Sequence, residues 1–333
     1  MKSLINKLLI LAIASITLFL AAPAARAQFT SQLEEKTIPV GDFSGIELAG
    51  DFELTLSSGP CVAKVTVDKM LSPYVQVYVR GKVLHITYDS KAVPKDVRQL
   101  YKGRNAPKPV FRASVSMPEL TSLFLSGNAV VNCGDVLDCK LTADIDIQDK
   151  AQLKNLNLNA GSVNVSLKKQ AQAALSIDAV NKVEFRTEGN ANLRATVEAH
   201  DIVSSAVGSS EIAITSKGEN ATLSGAGSSK TVVTFEGEKA VVTVGGSASM
   251  NLSGKGDVLT VRGEKNSSLD AAAFDTKAAS VDLNGSVKAN ITVSESLDAN
   301  LVGGSTLYYT GDPSFKIGKV IRSTLAPYGS STR

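Results

Sequence analysis

A small residue recurs through most of this chain at Ala129, Ala151, Ala171, Ala191, Ser210, Ser229, Ala248, Ser268, Val287 and Thr306, at intervals of 19 to 22 residues. A repeat this short cannot bury its own apolar face, so each copy has to stack on its neighbours to build a shared core. About ten copies stacked in this way make a rod.

The repeats are β in character. Stretches such as Glu211-Ile212-Ala213-Ile214, Ala221-Thr222-Leu223 and Val241-Val242-Thr243-Val244 alternate in polarity and are separated by Gly, Asn and Ser, while helical spacing is not sustained. The pattern predicts an all-β solenoid, a parallel β-helix over residues 126–313 with a C-terminal cap or tail at 314–333. Aligning the repeats stacks Glu198, Lys217, Glu236, Lys255 and Asp275 in one column of alternating charge. Side chains so stacked lie about 4.8 Å apart along the axis, where opposite charges attract. The same register directs Ile214, Val233 and Leu252, and Leu223, Val242, Val261 and Val281, inward as aliphatic columns. Glycines recur just before the marker, in Gly225-Ala226-Gly227, Gly245-Gly246, Asn284-Gly285 and Gly303-Gly304. There they fit a tight corner with positive φ or close backbone approach. Asn181-Lys182 and Lys265-Asn266 read as corners poor in glycine.

Before the repeats come two other segments. Residues 1–27 read as a signal peptide, with Lys2 and Lys7 ahead of an apolar run and Ala25-Arg26-Ala27 at its end, so cleavage is expected before Gln28. The chain has 35 basic and 32 acidic residues; loss of Lys2, Lys7 and Arg26 leaves 32 of each. A near-neutral surface lacks the positive field of a general polyanion binder, which sets nucleic acid aside as a partner. No later apolar run reaches the ~18 residues of a spanning helix, and scarce aromatics argue against a lipid-facing barrel. An exported protein of the periplasm, outer membrane or exterior is expected, and such rods can associate as homo-oligomers.

Residues 37–125 read as an N-terminal β cap and first turns, with alternation in 46–48, 52–56, 62–67 and 75–79 and a tight turn at Gly81-Lys82 into Val83–Tyr88. Between residues 90 and 112 the alternation stops. Lys91, Lys95, Arg98, Lys102, Arg104, Lys108 and Arg112 face only Asp96 there, giving an exposed basic loop. It reads either as a contact for an anionic glycan or lipid headgroup or as a solvated insertion.

The chain as a whole resembles the head GIN domain family of putative auto-transporter adhesins, a domain of unknown function. The likeness rests on the opening run Phe43–Leu54, on small-residue segments such as Ser126-Gly127-Asn128-Ala129, and on the closing run Leu297–Pro313. The resemblance implies a right-handed parallel β-helix exported by Gram-negative bacteria, without established enzymatic activity.

Candidate chemistry is sparse. Enzymatic β-helices converge acids and a base across neighbouring turns of one groove. Here Glu219, Glu238 and Asp257 fall in one column, a candidate calcium site, or else a solvated edge relieved by Lys217, Lys239 and Lys255. His85 and His200 have no metal spacing, and no nucleophile elbow accompanies the serines. No catalytic residue and no resident cofactor are therefore assigned. Of Cys61, Cys133 and Cys139, only the last two are close enough to pair; two buried thiols are the alternative. Tyr308, Tyr309 and Tyr328 could stack on sugar rings or close the end of the rod. The leading expectation is a non-enzymatic binding protein for carbohydrate or another envelope component. The alternatives are a β-helical lyase or hydrolase and a structural accessory protein of the envelope.

Overall fold

The structure, a computed structural model, describes residues 31–328, so the expected signal peptide lies outside the described residues. The chain forms β1 (Leu33–Ile38), β2 (Gly45–Gly50), β3 (Glu53–Ser58), β4 (Val62–Asp68), β5 (Val75–Arg80), β6 (Val83–Tyr88), helix α1 (Lys95–Leu100), β7 (Phe111–Met117) and β8 (Ser122–Gly127). Four long strands follow, β9 (Val130–Ile147), β10 (Gln152–Lys169), β11 (Gln172–Gly189) and β12 (Asn192–Gly208). Then come β13 (Glu211–Lys217), β14 (Asn220–Gly225), β15 (Lys230–Glu236), β16 (Lys239–Val244), β17 (Ser249–Lys265), β18 (Ser268–Gly285) and β19 (Lys288–Val302). The chain closes with β20 (Thr306–Thr310), β21 (Ser314–Ile321) and β22 (Thr324–Pro327). Together the strands wind into a parallel β-helix of about 11 turns.

One turn of the regular part crosses two faces. β13 leads through the short corner Gly218-Glu219 into β14, and Ala226–Ser229 forms the longer corner back to β15. Where the ladder runs unbroken through the short corner, the two segments merge into one long bent strand, as in β12 and β17. The predicted columns are present: Ile214 pairs with Val233 and Val233 with Leu252, while Leu223, Val242, Val261 and Val281 follow one another on the second face. All are buried. Each fully buried Val, Leu or Ile contributes roughly 1.5–3 kcal/mol, so these stacks are the main source of stability.

The marker column needs one correction. Ser249 pairs with Ser268, Ser268 with Lys288 and Lys288 with Thr306. The buried column therefore runs through the residue before each of these, Ala248, Ser267, Val287 and Ser305, all at most 1% exposed. Side chains alternate faces with period two, so a displacement of one residue moves Ser268 and Thr306 to the outside.

The longer corner carries a left-handed residue in turn after turn. Gly189, Gly208, Gly227 and Gly246 all have φ between 73° and 83°. A Cβ on Gly246 would lie 2.9 Å from the carbonyl oxygen of Gly227 directly beneath it, so both φ and space favour glycine. Lys169 and Lys265 take the same conformation without glycine, at φ 65° and 64°, which makes Lys265-Asn266 a true glycine-poor corner. Asn181-Lys182 belongs to the short corner instead; the left-handed residue of that turn is Gly189.

At the N-terminal end, sequence order and stacking order separate. β2 lies between β6 and β8, and β3 between β7 and β9, all parallel. The chain thus makes one turn, runs outward to lay down β6 and β7, and returns past its starting point to continue as β8. Antiparallel strands flank the outer turn: β5 on β6, β4 on β7 and β1 on β4. Gly81 and Lys82, at φ 59° and 63°, form the predicted tight turn of the β5–β6 hairpin. Residues 90–112 are more than an exposed loop. They include α1, and Val97 on that helix and Val93 just ahead of its N-cap Pro94 are both buried in the common core.

At the far end, Phe315, Ile317 and Val320 continue the inward columns of Leu297, Ala299 and Leu301. No further turn among the described residues covers them, and they are 41–52% exposed. Cys61, Cys133 and Cys139 are free thiols. Burial pushes the Cys133 and Cys139 thiols above their ordinary range, which suits inert packing rather than reactivity.

Candidate functional site

The first face of the regular turns, built from the β13 and β15 class of segment, presents three outward columns. The first holds Ala174, Arg194, Ala213, Val232 and Asn251. The middle column is Asn157, Ser176, Thr196, Thr215, Thr234 and Ser253. The third is Asn159, Asp178, Glu198, Lys217, Glu236, Lys255 and Asp275. Backbone donors and acceptors are consumed in the ladders, so recognition on this face falls to side chains. Six consecutive middle positions carry an uncharged hydrogen-bonding group, and Thr234 and Ser253 lie 3.0 Å apart, hydroxyl to hydroxyl. β-branched Thr fits a strand and holds its hydroxyl in few rotamers. The face is a shallow depression of about 560 Å³ from Val136 to Glu236, continued by another from Lys255 towards Gly311.

The register of the charged column is the predicted one from Glu198 to Asp275, but among the described residues its members form no ion pair within 4.0 Å of one another. The column extends to Asp178 beneath Glu198, where the alternation breaks into two neighbouring acids. The alternation marks the register, and the charged groups themselves are exposed to solvent.

The acid column is also found in register. Glu219 N–H donates to His200 O, Glu238 N–H to Glu219 O and Asp257 N–H to Glu238 O, placing the three acids on successive turns of the short-corner ridge. Their partners differ from the expected lysines. His200 Nε2 lies 2.7 Å from Glu219 Oε2, and its Nδ1 lies 3.1 Å from Asp201. Lys277 Nζ lies 2.8 Å from Asp257 Oδ1 and the contact raises the Lys277 pKa. Asn220 donates to Asp201 at 2.9 Å and holds that carboxyl below its ordinary range. Among the described residues, no three His, Cys, Asp or Glu side chains converge on one point as metal ligands. Sequence reasoning missed the role of His200, since its two carboxylate partners come from its own corner and the next turn.

His85 packs elsewhere, 3.0 Å from Glu47 and stacked on Tyr78 with ring centroids 4.8 Å apart. Tyr308 meets Tyr328 edge-on at 6.4 Å, and Tyr309 meets Phe315 at 5.1 Å, so these aromatics contact one another near the C-terminal end.

Among the described residues no helix is long and apolar enough to cross a membrane. No curated protein matches the chain. Among solved structures, a putative adhesin from Parabacteroides distasonis is similar at 18% identity, covering 89% of this chain and 97% of that one, with a TM-score of 0.42. A putative lipid binding protein from the same organism is 18% identical, covers 89% and 96%, and has a TM-score of 0.33. A putative adhesin from Bacteroides fragilis is 14% identical, covers 90% and 98%, and has a TM-score of 0.29. Residues 42–215 and 175–313 each match the family described as putative auto-transporter adhesin, head GIN domain, and the chain belongs to that family.

Proposed function

We propose that this protein is an exported, non-enzymatic adhesin-type β-helix whose first lateral face binds a carbohydrate or another envelope component. The observation that carries this reading is the unbroken middle column from Asn157 to Ser253. It repeats a hydrogen-bonding group about every 4.8 Å on a rigid scaffold. An extended polymer with regularly spaced hydroxyls can match such an array at several turns at once, so weak single contacts combine. Membership in an adhesin family supports the same reading. An enzyme of this fold would need acids and a base converging in a groove, whereas the acids and lysines of this face alternate in one outward column.

The test is binding of residues 28–333 to a broad glycan array, with and without calcium, while product release is followed. Saturable binding without turnover is expected. The triple variant Thr196→Val, Thr215→Val and Thr234→Val keeps the side-chain shape and removes three hydroxyls. It should weaken binding at least about tenfold, since each lost hydrogen bond is worth roughly 0.5–1.5 kcal/mol. Turnover would instead establish the lyase or hydrolase reading. Calcium dependence that Glu238→Gln abolishes would place a cation on the Glu219, Glu238, Asp257 ridge.

A further inference from the structure

The N-terminal end of the rod carries a large excess of positive charge. Residues 62–112 contain eleven cations, Lys64, Lys69, Arg80, Lys82, Lys91, Lys95, Arg98, Lys102, Arg104, Lys108 and Arg112, and three acids, Asp68, Asp89 and Asp96. All eleven cations are exposed, while Asp68 is fully buried. Only Arg112 has an ion-pair partner among the described residues, Glu53 at 3.6 Å between two exposed side chains. In the regular turns Lys169, Lys182, Arg186, Lys230 and Lys277 are each paired with an acid, and the cations there without an ion-pair partner among the described residues, such as Lys217 and Lys255, are interspersed with acids along one column.

These cations are held on a rigid base. Burial of Val93 and Val97 ties the insertion to the core, and Phe111 packs against both Phe52 and Tyr88, with centroids 5.3 and 4.5 Å apart. Every strand that carries or flanks them, β4 to β7, lies outside the β2–β3 turn, so the charge is gathered at one end of the rod. Large apolar side chains are exposed among the cations. Met70, 44% exposed, follows Lys69, and Tyr78, 45% exposed, shares its strand face with Arg80.

We propose that this end docks on an anionic lipid surface, with the lysines and arginines meeting headgroup phosphates and Met70 and Tyr78 entering the interface. Unpaired cations attract an anionic surface at long range, and adding several of them multiplies affinity. Exposed apolar and aromatic side chains set between cations suit a headgroup boundary and have no role against a purely hydrophilic polyanion. The rod would then stand on its end, leaving the lateral face free.

The experiment is sedimentation of residues 28–333 with phosphatidylcholine vesicles, with or without phosphatidylglycerol, and with dextran sulfate as a soluble polyanion. Binding to the anionic vesicles that falls with rising salt, and none to neutral ones, is expected. Lys95→Glu, Arg98→Glu, Lys102→Glu and Arg104→Glu together should reduce it at least about tenfold. The same charge change spread over Lys140, Lys150, Lys239 and Lys288 should leave it within about twofold. Met70→Ser with Tyr78→Ser should lower vesicle binding without changing dextran sulfate binding. Far-UV circular dichroism checks that each variant is folded, and Lys64→Glu with Lys82→Glu is a second set outside the insertion, expected to act in the same direction. Equal loss from the clustered and dispersed sets would overturn the proposal. Binding to dextran sulfate but not to vesicles would overturn it in favour of an acidic polysaccharide.

Discussion

The regular turns and the N-terminal end bury apolar surface by different means. In the regular turns each inward residue has an equivalent directly above and below it, as Val233 has Ile214 and Leu252, so stability is spread over nearest-neighbour contacts. At the N-terminal end β2 and β3 instead take both neighbours from later in the sequence, β6 with β8 and β7 with β9, and a few contacts among Phe52, Tyr88, Phe111, Val93 and Val97 join the pieces. Repetition makes a long, uniform, nearly neutral face; interruption of the repeat makes a local, strongly charged one. The two proposed binding modes follow that division.

The largest effect should come from opening a cavity in the regular stack. Phe235 is fully buried and fills the column beside Gly254, so Phe235→Ala should cost about 3–5 kcal/mol in denaturant unfolding. Val97→Ala, 9% exposed at the N-terminal end, removes two carbons and should cost at most about 2 kcal/mol. Equal losses would break the contrast.

A smaller effect separates two left-handed glycines. At Gly81, in the β5–β6 turn, a Cβ would meet nothing within 4 Å, whereas at Gly246 it would meet the backbone of Gly227. Gly81→Ala should cost about 1–2 kcal/mol from φ alone, and Gly246→Ala more, because the stacked turn must also shift. Thermal unfolding of the two variants checks the order.

The smallest effect is acid sensitivity of the lysine–carboxylate pairs. Lys169 donates to Asp149 and Lys182 to Glu184, and both carboxyls are held below their ordinary range. A carboxyl depressed in the fold adds stability above its unfolded value, about pH 4, and loses it as pH falls through the lower folded value. The melting temperature should therefore fall from pH 5 towards pH 2, less steeply in Asp149→Asn with Glu184→Gln; an unchanged slope would assign the acid loss to other groups.

Legibility divides along the same line. The columns through Ile214 and Leu223 could be read because every turn repeats the same alternation, and the marker slipped by one residue only at Ser268 and Thr306, where intervals vary. The stacking of β2 and β3 could not be read, since it depends on partners such as Thr121 for Ser44 and Asn128 for Asp51, each 77 residues away. The insertion's cations were visible in the sequence, but the burial of Val93 and Val97 was not, because a six-residue helix leaves too short a pattern to distinguish from a loop. The acid column was legible as a register. Its pairing with His200 and Lys277 was not, because side-chain reach across corners leaves no periodic trace.

The most direct test measures glycan binding and anionic-vesicle binding side by side for the native chain, the Thr196, Thr215, Thr234→Val variant and the Lys95, Arg98, Lys102, Arg104→Glu variant. The first variant should lose glycan binding and keep vesicle binding, and the second should do the reverse. Loss of both activities in either folded variant would contradict the assignment of two separate surfaces to the face and the end of one rod.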